Sequence, residues 1–317
     1  MKRSIIWRLA ALLACSPWLL WAATKTNDVL RDPAYKCEVS ISIENGVRRI
    51  QANGIPDHQV GAFPGKGNPN TIAPQRYDFK MPVVPKPGNK PAPLPMQPFG
   101  VAVNGVVFDP SAAEWFNRNP QSGWQYEPMS LENKLGCDRN NAHVQPNGAY
   151  HYHGIPTGLV ERLTGGQEKM VLLGWAADGY PIYNPLCYTT ANDASSPLKK
   201  LKSSYRIKQG TRPDGPKGEY DGLFVADYEY VAGLGDLDEC NGRSGATPEF
   251  PEGTYYYCVT EAFPFIPRSF HGTPDASFAR KGPPGGGPPG GRAGGRRPPP
   301  GFGPPPPGAP PFGPPPR

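Results

Sequence analysis

His143-Val-Gln-Pro146-Asn147-Gly148-Ala-Tyr150-His151-Tyr152-His153 holds three of the chain's five histidines within eleven residues. Side chains alternate faces along a β-strand, so His151 and His153 point one way while Tyr150 and Tyr152 point the other. Pro146-Asn147-Gly148 reads as a three-residue hairpin loop, with Pro set for the first turn position and Gly free to take the left-handed bulge position. That loop pairs residue 145 with 149, 144 with 150 and 143 with 151. His143 then faces His151 across the ladder, with Cβ atoms roughly 5 Å apart. A single hairpin would present three imidazoles on one face, a half-built metal site.

The same punctuation recurs on both sides. Glu38–Glu44, Asn45-Gly46 and Val47–Gln51 read as strand, tight turn and strand. Phe99–Val103 with Asn104-Gly105 and Val106–Phe108 predicts a second hairpin, and Val171–Trp175 with Asp178-Gly179 and Pro181–Tyr183 a third. Phe224–Val231 alternates like a strand. Pro82, Pro85, Pro87, Pro91, Pro93, Pro95 and Pro98 make 81–98 an extended connector, neither helix nor central strand. Ser111–Asn117 and Asp193–Lys202 are the best short helix candidates. Pro146–His153 and Pro251–Cys258 share the pattern P-x-G-x-Y-x-Y, which suggests two similar hairpins, the second with Tyr256 for His151 and Cys258 for His153. These signals predict a mostly β, β-sandwich-like single domain with hairpins and long loops.

The ends differ from the body. Lys2 and Arg3 precede an apolar run from about Leu9 to Ala23, so 1–23 reads as a secretory signal peptide cleaved near Ala22 or Ala23. The run is short for a membrane span, and no transmembrane segment is expected in the mature chain. Leu12-Leu13-Ala14-Cys15 offers a second reading, a lipoprotein anchored at Cys15. Residues 280–317 are Pro, Gly and Arg with almost nothing to bury, and are expected to be disordered. This tail carries net +6 and the leader +3; with +6 for the whole chain, residues 24–279 are left at −3. A mildly acidic body without a basic–aromatic groove argues against nucleic acid, while the tail suits envelope or anionic-polymer contact. Between them lie an N-terminal β segment with the Pro-rich connector, 24–98, and a main domain, 99–279. Export would make disulfides the default for Cys37, Cys137, Cys187, Cys240 and Cys258, whose pairing spacing alone leaves open.

Asn140-Asn-Ala-His-Val-Gln-Pro-Asn-Gly-Ala-Tyr-His-Tyr-His-Gly154 resembles the defining motif of the YHYH-domain proteins. Gly174–Tyr183, Tyr228–Arg243, Thr247–Tyr255 and Phe263–Pro267 resemble that family's later blocks, in consistent order from about 99 to 275. The resemblance implies an exported protein and transfers no catalytic role to any residue here.

The same-face spacing makes His143, His151 and His153 candidate metal ligands; imidazole suits zinc, copper, nickel and iron(II), and copper or zinc best fits periplasmic binding. Asp178, in its turn before Gly179, would either cap its own backbone or serve as a fourth ligand or an acceptor for an imidazole N–H. Asp236-Leu-Asp238-Glu239 is reminiscent of a calcium loop but out of register with one, so calcium is the weaker expectation. Three functions follow: periplasmic or secreted metal binding, a metal-dependent hydrolase or oxidoreductase with an open coordination position, or a non-catalytic surface module. No cofactor-binding motif and no nucleophile–base spacing accompanies them.

Overall fold

Asn45 and Gly46 both take positive φ, 52° and 75°, the pairing that a two-residue hairpin turn requires. They join β2 (Cys37–Glu44) to β3 (Val47–Ala52), flanked by β1 (Asn27–Asp32) and β4 (Tyr77–Pro82) in a four-stranded antiparallel meander. This computed structural model describes residues 27–32, 34–131 and 135–280; the leader at 1–23 and the tail after Arg280 lie outside the described residues. Chain order continues through β5 (Pro87–Pro93), β6 (Gly100–Ala102), β7 (Val107–Phe108), β8 (Ala142–Val144), β9 (Tyr150–Tyr152), helix α1 (Thr157–Thr164), β10 (Leu172–Ala176) and β11 (Pro181–Tyr183). There follow β12 (Leu186–Tyr188), β13 (Leu198–Lys200), β14 (Tyr205–Ile207), β15 (Tyr228–Tyr230), β16 (Gly242–Gly245), β17 (Thr254–Cys258) and β18 (Ser269–Gly272). The fold is mostly β, and α1 is the one α-helix that lies wholly within the described residues.

The Pro-rich stretch is extended as expected, and part of it, β5, pairs with β18 at an edge, where missing N–H donors cost least. Both short helix expectations fail. Ser111–Asn117 is irregular, with a β-bridge from Trp115 to Gln125 and a 3₁₀ turn from Phe116. In Asp193–Lys202, Pro197 biases the residue before it out of the helical region, and Leu198–Lys200 pairs with β12 instead. Phe224–Val231 opens as a 3₁₀ turn and becomes a strand only at Tyr228.

The centre of the molecule is an eight-stranded sheet in the order β16-β17-β11-β10-β6-β7-β9-β8. It contains an internal duplication. Hairpin β6–β7 pairs Gly100 with Phe108 and Val101 with Val107; hairpin β10–β11 pairs Gly174 with Ile182 and Trp175 with Pro181. Each then lies parallel to the second strand of a further hairpin, Phe108 beside Tyr152 and Ile182 beside Tyr257. The halves meet at β6 and β10, where Gly100 pairs with Ala176 and Ala102 with Gly174, so exchanging the two strands restores the same pairing. Glycine is required at both positions. A Cβ on Gly100 would sit 2.5 Å from the Trp175 carbonyl oxygen, and one on Gly174 2.2 Å from that of Val101.

One hydrophobic core joins the two sheets. Val39, Ile50, Ala52, Phe79 and Met81 of the meander pack in the same buried cluster as Phe99, Val101, Phe108, Trp175, Ile182 and Phe270. The two duplicated turns dock on the meander, Gly105 against Ala52 and Val39, Gly179 against Pro82.

Candidate metal centre

The Pro146-Asn147-Gly148 loop closes as the sequence indicates: Gly148 has φ 83°, and the Gln145 N–H donates to the Ala149 carbonyl at 3.0 Å. His143 pairs with His151, Val144 with Tyr150 and Ala142 with Tyr152. His153 follows the strand, its N–H bonded to the Asn141 carbonyl at 2.7 Å. The imidazole centroids form a nearly equilateral triangle, with 4.6 Å from His143 to His151, 4.8 Å from His143 to His153 and 4.6 Å from His151 to His153.

The opposite face of the hairpin is clamped by its tyrosines. The Tyr150 hydroxyl donates to Asp138 Oδ2 at 2.8 Å and accepts from Asn140 Nδ2 at 3.1 Å. Tyr152 accepts from Asn104 Nδ2 at 3.0 Å and lies 2.7 Å from His58 Nε2. Since His58 Nδ1 faces the Gln59 carbonyl at 3.0 Å, that nitrogen carries the proton and Nε2 accepts from the tyrosine.

The same logic sets the tautomers of the triad. His143 Nδ1 faces the Leu135 carbonyl at 3.2 Å and His151 Nδ1 the Ala149 carbonyl at 3.1 Å. A carbonyl only accepts, so both rings carry the proton on Nδ1 and leave an Nε2 lone pair uncommitted. His153 is 2 % exposed, yet neither of its nitrogens is hydrogen-bonded to a described residue. The Asp109 main chain acts on it weakly but not in hydrogen-bonding geometry. Burial holds all three rings below the ordinary histidine range. His151 is lowered to about 3, by burial first and then by His143. All three are thus neutral at ordinary pH, the form that binds metals. One candidate ligand atom from each ring lies within 4.8 Å of the others. Three nitrogens about 2.1 Å from a tetrahedral ion would lie about 3.4 Å apart, so small side-chain rotations would bring them to coordination distance.

The triad lines a cavity of about 410 Å³ whose walls also include Asn68, Ser111, Glu114, Gln145 and Arg280. Arg280 is bonded to Asp109, a carboxylate 2 % exposed at its side chain. Glu114 is exposed and acts electrostatically on His143. Ser111, Glu114 and Arg280 are not evident from the sequence, because Ser111–Asn117 has a helix-like pattern and Arg280 stands at the start of the tail.

Asp178 is not brought to the imidazoles. Its carboxylate accepts from the Tyr257 hydroxyl at 2.5 Å, the Gly272 N–H at 2.9 Å and the Tyr180 N–H at 3.4 Å. The last is the turn-capping bond the sequence anticipated. The duplication explains the placement: Asp178 occupies the position of Asn104, and Tyr257 that of Tyr152. The acidic loop is likewise engaged within the protein. Asp236 pairs with Lys199, and Asp238 accepts from the Cys240 and Gly242 N–H groups and from Tyr255.

The second half has no equivalent triad. Arg243 replaces His143, Tyr256 replaces His151 and Cys258 replaces His153. Arg243 Nε donates to the Tyr256 hydroxyl at 2.7 Å, and the Cys258 sulfur lies 3.6 Å from that of Cys187. A guanidinium at this place repels a cation. No disulfide bond is formed among the described cysteines.

A family model described as YHYH protein matches residues 78–272. No curated protein and no solved structure shows significant similarity to the chain. No helix among the described residues is long and apolar enough to cross a membrane.

Proposed function

This chain belongs to the YHYH protein family, and we propose that His143, His151 and His153 bind one divalent transition metal, copper or zinc, in an exported protein. The observation that carries the reading is the convergence of three neutral imidazoles, of which His153 is buried with no hydrogen bond to a described residue. A buried polar group left unpaired costs about 1–3 kcal/mol, and coordination would offset that cost. Nitrogen donors favour zinc or copper over calcium, which takes oxygen ligands. Asp178 drops out of the ligand set, leaving three protein donors.

Elemental analysis of protein purified without a polyhistidine tag or chelator should give about one metal per chain. Absence of metal, together with no change in tryptophan and tyrosine fluorescence on adding Cu²⁺ or Zn²⁺, would end the proposal. The 410 Å³ cavity favours a second reading, a metal-dependent hydrolase or oxidoreductase, because it would let a small molecule approach an ion held by the three imidazoles. Export rests on the Lys2-Arg3 leader and its apolar run, and N-terminal sequencing of mature protein from the producing cells would test it. A start at Met1 in mature envelope or medium fractions would contradict cleavage.

A further inference from the structure

Arg48 is a buried cation that no acid among the described residues neutralises. Along β3 the odd positions Val47, Arg49 and Gln51 are exposed, whereas Arg48, Ile50 and Ala52 face the core. Arg49 pairs with Asp78 in solvent, but Arg48 is 2 % exposed. Its guanidinium carbon lies 4.4 Å from the centre of the Trp175 ring. Among the described residues no carboxylate, carbonyl or hydroxyl accepts a hydrogen bond from it. Burial pushes its pKa down to about 10, and no charged neighbour contributes. Stacking on a tryptophan offsets part of such a cost, and a guanidinium offers five N–H donors that a ring face does not satisfy.

The side chain lines a cavity of about 260 Å³ at the junction of the two sheets. Val83, Pro85, Tyr180, Pro181 and Phe250 are among its walls, and Arg48 is the only charged residue in the lining. Val84 stands at the cavity, 67 % exposed. The walls come from the end of β4, the duplicated turn before β11 and the turn before β17. None belongs to the histidine triad.

We propose that this cavity is a binding site for a small monocarboxylate with an apolar body, the carboxylate paired with Arg48 and the body packed on Val83, Pro85, Pro181 and Phe250. A planar carboxylate matches a guanidinium fork through two parallel hydrogen bonds. One cation balances one negative charge, so a dianionic phosphate would be left under-neutralised. The volume suits a single ring or a short acyl chain.

Phenylacetate and hexanoate are suitable probes, with 2-phenylethanol as the uncharged control, titrated by calorimetry and by tryptophan fluorescence. At least one carboxylate should bind saturably at millimolar or lower concentration, and the alcohol roughly tenfold more weakly or worse. Arg48→Met, which exchanges an unpaired buried charge for an apolar side chain of similar length, should lose carboxylate binding while its melting temperature holds or rises. Val84→Trp, at an exposed position, should fold normally and obstruct the cavity, and it decides the matter if the arginine variant does not fold. Failure of both carboxylates to bind, equal binding of the alcohol or of inorganic phosphate, or unaltered binding in Val84→Trp would overturn the proposal.

Discussion

His153 is the residue on which most turns. Its ring is buried with neither nitrogen hydrogen-bonded to a described residue, so a purely structural role leaves a polar ring at this position unexplained, whereas a ligand role accounts for it. Replacing it by an apolar side chain of similar size removes an unsatisfied group. His153→Leu should therefore leave metal-free stability unchanged or raise it by about 1 kcal/mol, while abolishing metal retention. A large drop in the melting temperature of the metal-free variant would indicate a packing role instead. Acid should act on the same rings. An unfolded histidine takes a proton near its ordinary value of 6.5, whereas folded His151 resists until about 3. Between these values the unfolded chain binds more protons, so the metal-free protein should lose stability as pH falls from 6.5. Above 6.5 this contribution is fully present and flat; denaturant midpoints measured from pH 8 to 4 would reveal the slope. Facing and spacing of the three histidines were legible from strand alternation and loop length alone. Their tautomers were not, because these depend on the Leu135 and Ala149 carbonyls, which carry no sequence signal. Arg48 could have been found: it shares parity with Ile50 on a strand whose apolar face was readable.

At the level of elements, the tyrosine clamp holds the hairpin's back as firmly as the loop holds its end. Tyr152→Phe would leave His58 Nε2 and the Asn104 amide short of a partner in a buried site. A loss of about 1–3 kcal/mol in unfolding free energy is expected. Metal content should persist in the folded fraction, since the imidazoles lie on the other face. The crossing of β6 and β10 is equally intolerant. Gly174→Ala would drive a methyl into the Val101 carbonyl, and the variant should accumulate poorly or melt well below the parent, whereas Gly166→Ala meets no atom within 4 Å and is strained only by its φ of 76°. Individual hairpins were readable because Asn-Gly and Asp-Gly turns punctuate them. Their assembly was not, since strands of two to five residues carry too little alternation to specify a neighbour. Helix α1 is not legible in the sequence for a related reason. Pro156 precedes it without a side-chain cap, so the usual start signal is missing.

Across the whole molecule, the duplication separates a specialised half from a structural one. The sequence echo between 146–153 and 251–258 was the visible trace of it. The wider match, Gly100 with Gly174, Asn104 with Asp178 and Asp138 with Asp238, emerges only once strand pairing is known. It also explains why the aspartate singled out beside the histidines belongs elsewhere. The end of the body is tied in by Arg280, which pairs with buried Asp109 beside the triad. Truncation after Arg280 should preserve the melting temperature of the body. Truncation after Ala279 strands that carboxylate and should cost about 1–3 kcal/mol, read as a lower denaturant midpoint.

X-ray absorption at the zinc or copper edge of metal-loaded, untagged protein tests the central claim most directly. Three imidazole nitrogens at about 2.0–2.1 Å, with the outer-shell scattering of the rings, are expected in the parent and no ordered imidazole set in His153→Ala. A metal environment with no imidazole or a single one, or an unaltered spectrum in the variant, would contradict the account.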